Sequence, residues 1–196
     1  MFSKDSQLNF IMSIIVVAGL LIATYYLSTT DIKFPFDTTQ KKKTQIKFAE
    51  KIVVKSTSFQ NEGEIPEKFT CKGANVNPAI EIYNLPAGTQ SLVILMEDPD
   101  APIRTFDHWI LFNVNSKTTV IAENTLPSGA IAGQNDFGKA TYSGPCPFNG
   151  LHHYQFKVFA MDKLLASKEG VTKADLLKEM EGHIIDSGIL IGTFGK

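Results

Sequence analysis

With 196 residues, 43% of them hydrophobic and 20% charged, the chain has the size and composition of one folded domain plus an added segment, which excludes a disordered polypeptide. A formal net charge of −1 excludes the broadly basic face of a nucleic-acid binder, so no nucleic-acid partner is expected. Fourteen Phe and one Trp supply bulk for a core.

Residues 1–9 form a short polar tail. Phe10 to Leu27 then reads FIMSIIVVAGLLIATYYL without a charge. As a helix it would span about 27 Å at ~1.5 Å per residue, close to the hydrocarbon thickness of a bilayer. Tyr25 and Tyr26 stand at one end, where interfacial aromatics belong. A cleaved signal peptide is the competing reading, but the apolar stretch is long and no A-x-A site follows it. The segment is expected to be a transmembrane anchor over 10–27. A literal count of Lys4 against Lys33, Lys41, Lys42 and Lys43 places the domain in the cytoplasm. The lysine cluster lies well past the span, however, and a single anchor ahead of a folded domain often marks export. An extracytoplasmic domain on a membrane is therefore expected.

Residues 28–44 lack apolar periodicity and carry Pro35, repeated threonines and the Lys41–Lys43 run, so they read as a linker able to meet anionic lipid. The domain is expected over 45–196. Its punctuation is that of a β protein. Ile52-Val53-Val54 opens an apolar stretch. Ser91–Met96 is a continuous apolar run stopped by Asp98-Pro99, the pattern of a buried strand. His108–Val114 is a second run, Val120-Ile121 a shorter one, and His153–Met161 a third long one. There His152, Tyr154, Phe156, Val158 and Ala160 share a side. Thr172–Asp175 has capping-box spacing, Leu176, Leu177 and Met180 give a helix its apolar face, and Gly182 stops it. Ile189–Ile191 reads as a last short strand.

Cys71 and Cys146 match no zinc spacing and no CxxC motif. The preferred reading is two buried small hydrophobes, and the alternative is one disulfide in an oxidising compartment.

Polar residues recur where strands begin and end. Asp98 and Asp100 follow the first buried run, His108 opens the second, and His152 and Tyr154 open the third, directly after Gly144–Gly150. Each alone has an ordinary explanation as a turn former or a structural histidine. Together they are side chains that a rigid sheet could offer to a ligand.

Asp98-Pro99-Asp100-Ala101-Pro102, then HWILFNV from His108, then GPCPFNGLHHYQFKVFAMD from Gly144 resemble the phosphatidylethanolamine-binding protein family in its bacterial and archaeal Raf-kinase-inhibitor-like branch. Phe69-Thr70-Cys71-Lys72-Gly73 with Asn77-Pro78, Asn135-Asp136-Phe137-Gly138, Gly182-His183-Ile184 and Gly192-Thr193-Phe194-Gly195-Lys196 extend the likeness over about Ile52 to Lys196. The resemblance implies a mostly β fold, a large antiparallel sheet packed on a smaller one with few short helices. It also implies a pocket for a phosphate-like anion built from Asp98, His108, Gly144, Pro145, His152 and Tyr154. Two imidazoles and a phenol can donate to phosphate. Asp98 fits such a site if it orients a histidine or accepts from a ligand ammonium. Both histidines are expected to face solvent in the empty pocket. Many eukaryotic members have Arg where this chain has His153, which puts an ion pair to Asp100 in doubt. Phe148 replaces a frequent rim proline. The chain ends soon after Ile189–Ile191, so gating by a C-terminal helix is not expected.

The function expected is a non-catalytic binding module for an anionic small molecule or phospholipid headgroup, without a cofactor. The alternative is an inhibitor of a kinase or serine protease acting through surface loops. A metal-dependent or acid–base hydrolase using Asp98, His108 and His152 ranks third, since no serine or cysteine sits in a nucleophile motif.

Overall fold

A computed structural model describes residues 52–196. The expected tail, span and linker, and the domain's expected opening at Gln45, lie outside the described residues. Among the described residues no helix is long and apolar enough to cross a membrane.

Two sheets account for the strands. The larger has six, in the order β2 (Gly63–Glu64), β9 (Ile184–Gly195), β8 (Leu151–Met161), β4 (Ser91–Asp98), β5 (Phe106–Asn115) and β7 (Ile131–Ala132). The smaller has three, in the order β1 (Val53–Lys55), β3 (Ile80–Tyr83) and β6 (Val120–Ile121). Pairing is antiparallel except between β2 and β9, which run parallel, so the large sheet is mixed at one edge. The expected final short strand is in fact β9, twelve residues long. Its glycines and hydroxyls interrupt the apolar run and hide its length in the sequence.

All eight residues of β4 are buried, because the strand is covered on both faces. Leu92, Ile94 and Met96 join Tyr154, Phe156 and Val158 of β8 under the small sheet, against Ile80, Ile82, Val54 and Ile121. Val93 and Leu95 face the other way with Ile110, Phe112 and Phe159, against Leu176 and Met180 of α1 (Lys173–Met180). Thr172 caps α1, its hydroxyl accepting from the Asp175 amide at 3.3 Å, and Gly182 turns the chain at φ 78° just beyond. Leu177, expected on the buried face, is 41% exposed, so the apolar stripe is narrower than the sequence suggested.

Polar groups are also sealed beneath α1. Glu97, at the end of β4, receives Lys157 and Lys173, and Lys173 also reaches Asp107 of β5. Burial opposes ionisation of Glu97, yet Lys173 and Lys157 outweigh it and hold this carboxyl below its usual range. Burial pulls the Lys173 ammonium down, and Glu97 with Asp107 more than reverses that. Asp107 stays raised, chiefly by burial. Replacing Lys173 by Met should therefore leave the buried Asp107 without its cation and Glu97 with Lys157 alone, and cost roughly 3–5 kcal/mol. That would be read as a lower urea midpoint at neutral pH with an unchanged slope. A wild-type midpoint would show that the network contributes nothing to stability.

Candidate functional site

The expected ligand residues meet at one end of the large sheet. Asp98 closes β4, and His152 and Tyr154 open the adjacent, antiparallel β8, so alternation alone puts all three on the face beneath the small sheet. His108 reaches that face by another route. Met96 pairs with Trp109, but Glu97 pairs with Asp107, so His108 is the extra residue of a β-bulge. Strict alternation would have placed His108 beneath α1 with Ile110 and Phe112. The bulge instead turns it toward Tyr154, the rings meeting edge to face with centroids 5.3 Å apart, and leaves Asp107 on the α1 side with Lys173.

Hydrogen bonds fix the ring orientations. His108 Nδ1 lies 2.7 Å from the Ser143 carbonyl oxygen. A carbonyl only accepts, so Nδ1 carries the proton and Nε2 presents a lone pair. His152 Nδ1 donates to Asp98 Oδ2 at 2.7 Å, while Asp98 Oδ1 accepts from the Asp100 amide at 2.9 Å. The carboxylate thus orients His152, as the resemblance suggested it could. Tyr154 stacks on His152 at a 24° interplanar angle. Its hydroxyl is the single buried side-chain polar atom without a hydrogen-bond partner among the described residues.

Both histidines are buried, contrary to the expectation that they face solvent: His108 is 3% and His152 8% exposed. Burial, the dominant effect, lowers the His108 pKa below its usual value despite the Ser143 carbonyl and the Asp98 charge. At neutral pH His108 is an uncharged acceptor at Nε2 rather than the charged donor that the residue type suggested. Burial, then the Asp98 carboxylate, push the Tyr154 phenol far up, so it stays protonated and can donate.

Gly144 and Pro145 form the buried wall. A Cβ on Gly144 would lie 2.1 Å from the Phe69 carbonyl oxygen, so only glycine lets this strand of chain pack there. The Gly144 amide donates to Asn75 Oδ1 at 2.7 Å, and the Pro145 carbonyl accepts from the Cys71 amide at 3.1 Å. Cys71 and Cys146 form a disulfide across a Cα separation of 5.4 Å. Both residues are exposed, which corrects the reading of two buried small hydrophobes. Their role is to fasten the pocket wall to the loop carrying Phe69–Asn75.

Asp100 keeps a partner although Arg is missing. The backbone amide and Nδ1 of His153 both donate to Asp100 Oδ2, at 2.8 and 2.7 Å, and these bonds hold the Asp100 carboxyl below its usual range. Phe148 is 98% exposed at the rim. Residue-type reasoning missed three further contributors. Ser143 supplies the carbonyl that sets the His108 tautomer, and Phe106 and Phe137 pack on His108 with centroids 5.1 and 5.7 Å away. A signal for Phe137 was present in the Asn135–Gly138 stretch, whereas nothing local marked Ser143. No group of three or more His, Cys, Asp or Glu among the described residues is placed to hold a metal ion. A cleft of about 170 Å³ opens nearby between Asn75, Trp109, Leu126 and Tyr142, and none of the six expected ligand residues lines it. Asp98, His108, His152 and Tyr154 form a separate, tighter cluster at the strand ends.

The chain is a mixed two-sheet β domain that gathers a carboxylate, two imidazoles and a phenol at one strand end. The profile of the family described as phosphatidylethanolamine-binding protein matches residues 55–195, and the chain belongs to that family. It is 44% identical over 154 residues to a UPF0098 protein of Pyrococcus horikoshii, covering 74% of this chain and 78% of the relative. It is 38% identical over 146 residues to a UPF0098 protein of Methanothermobacter thermautotrophicus, covering 72% of this chain and 97% of the relative. Among solved structures it resembles a phosphatidylethanolamine-binding protein homologue from Chlamydia trachomatis, with TM-score 0.71, 36% identity, and coverage of 74% of this chain and 97% of that one. It also resembles YBCL of E. coli, described as a member of the mammalian family, with TM-score 0.70, 27% identity, and coverage of 74% and 98%.

The lowered His108 pKa fixes the sign of a pH effect. Above about pH 6.5 the ring is neutral in folded and unfolded chains alike. Below that, the unfolded chain takes up a proton that the folded ring resists, so this contribution to stability is lost as pH falls. Thermal melts between about pH 7.5 and 5.5 should show a shallower decline for His108→Asn than for wild type. Identical slopes would mean that His108 is not held neutral.

Proposed function

We propose that this domain is a non-catalytic binding module for a phosphate-like anion, either a small phosphorylated molecule or a phospholipid headgroup. The observation that carries this reading is the convergence of the His108 and His152 rings on Tyr154, whose buried hydroxyl has the Asp98 carboxylate and the Cys146 backbone near it but makes no hydrogen bond of good geometry. A buried polar group left without a partner costs about 1–3 kcal/mol, and a ligand oxygen would remove that penalty. The neutral His108 Nε2 suits a protonated phosphate oxygen or a ligand ammonium, since both donate. Family membership supports the same class of ligand.

Two observations favour binding over turnover. Cys146, the nearest candidate nucleophile, is held in the disulfide. Ser143 Oγ accepts from Asn135 Nδ2 at 3.0 Å. An exposed disulfide suits an oxidising compartment, which supports a domain exported on an N-terminal membrane anchor. Ile103 and Phe148, 96% and 98% exposed, favour a second role in which loops at this end meet a protein partner such as a kinase or protease.

Calorimetric titration with inorganic phosphate and with phosphoethanolamine tests the reading. Tyr154→Phe should weaken binding about ten-fold or more, as loss of a bond to a charged acceptor implies. The same change should leave the melting temperature unchanged or raise it, because an unpaired buried hydroxyl is removed. Equal binding by wild type and variant, or no saturable binding by either, would contradict the proposal.

A further inference from the structure

The pocket as bonded has no free cation of its own. Asp98 contributes a negative charge that His152 engages at 2.7 Å. His108 is neutral through burial, Tyr154 stays protonated, and the neighbouring Asp100 takes up His153. An anion entering here meets a carboxylate, so a positive charge must come from the rim. Arg104 is committed to Asp136 by two bonds of 2.9 and 2.7 Å. Lys68, on the loop facing the wall, binds Glu123.

Lys72, by contrast, pairs with no carboxylate among the described residues. Its backbone is closely held. The Lys72 amide donates to Thr70 Oγ1 at 3.2 Å and the Gly73 amide to the Thr70 carbonyl at 3.0 Å. The preceding Cys71 is tied to the pocket wall twice, through its amide to Pro145 and through its sulfur to Cys146. The Lys72 ammonium stands over the Phe194 ring, 5.5 Å from its centroid. Phe194 is the direct cross-strand partner of His152 and shares its face of the sheet. Such partners have Cβ atoms about 4.5–5.5 Å apart. The ammonium is therefore parked one strand from His152, held there only by a weak cation–ring attraction and carried on a flexible four-carbon stem.

We propose that Lys72 is the pocket's cation and makes it select a doubly charged phosphate monoester over a singly charged diester. This rests on the anion-pocket reading above. Asp98 opposes any anion, and Lys72 offsets that opposition most for the ligand with the greatest charge. The Tyr154 hydroxyl then donates to the ligand, while the neutral His108 Nε2 accepts from a ligand ammonium or from the remaining proton of inorganic phosphate, neither adding charge.

The test is titration of the full-length chain in detergent solution with inorganic phosphate, at a pH where it is doubly charged, and with dimethyl phosphate. Wild type is compared with Lys72→Met, Lys72→Arg and Lys117→Met. Lys117 lies in the turn after β5, at the opposite end of the sheet. Lys72→Met should lose about ten-fold or more in phosphate affinity and about two-fold or less for the diester, the scale set by one charge-assisted hydrogen bond. Lys72→Arg should stay within about three-fold of wild type, and Lys117→Met should match it. If wild type binds phosphate and Lys72→Met binds equally well, the Lys72 assignment is overturned while the pocket stands. Equal losses in Lys72→Met and Lys117→Met would overturn it too, by showing a diffuse charge effect. If wild type binds neither probe, the anion-pocket reading falls and this inference with it.

Discussion

β4 is covered on both faces, by the small sheet on one side and by α1 on the other. Polar groups at the end of a sealed strand cannot turn to water, so they must find partners inside the protein or in a ligand. The two faces meet this requirement differently. Beneath α1, Glu97 and Asp107 are answered by Lys157 and Lys173. Beneath the small sheet, Asp98 is answered by His152, yet the adjoining Tyr154 hydroxyl is left unbonded. One face of the same strand end is completed by the chain, and the other keeps one hydroxyl without a bond of good geometry.

The bulge at His108 makes this division possible. A single additional residue in β5 keeps Asp107 within reach of Lys173 and swings His108 to the opposite face beside Tyr154. Without it, alternation would bury an imidazole beneath α1 against Ile110 and Phe112, away from Tyr154. The price of the arrangement is an unsatisfied hydroxyl, a stability cost of the kind that accompanies binding sites. The wall opposite is secured by the Cys71–Cys146 disulfide, the Gly144 amide and the Tyr142 hydroxyl, which donates to the Phe69 carbonyl at 2.8 Å.

Much of this was legible in the sequence because burial leaves a period. The runs at Ser91–Met96, His108–Val114 and His153–Met161 became β4, β5 and β8, and the shared side of His152, Tyr154 and Phe156 holds in the structure. The capping spacing at Thr172 located α1. Long-range or one-residue effects were not legible. The face of His108 depends on a register shift against β4, which no local pattern encodes. The disulfide joins residues 75 apart in sequence, and neither cysteine's surroundings announce the other. β9 was foreshortened because Gly188 and Gly192 break its apolar run at points where other chain segments press close. The charge state of His108 follows from its burial, so residue type alone misled toward a charged donor.

The central claim is that the strand-end cluster is an anion site with a neutral His108. Long-range proton–nitrogen correlation of the imidazoles in nitrogen-15-labelled protein, recorded during titration with inorganic phosphate, tests it most directly. The account predicts a neutral His108 with the proton on Nδ1 at neutral pH. It also predicts saturable shifts of the His108 and His152 Nε2 signals, while His183, bonded to Asp162 at the far end of the sheet, stays still. A charged His108, or phosphate shifts that spare both buried rings, would contradict it.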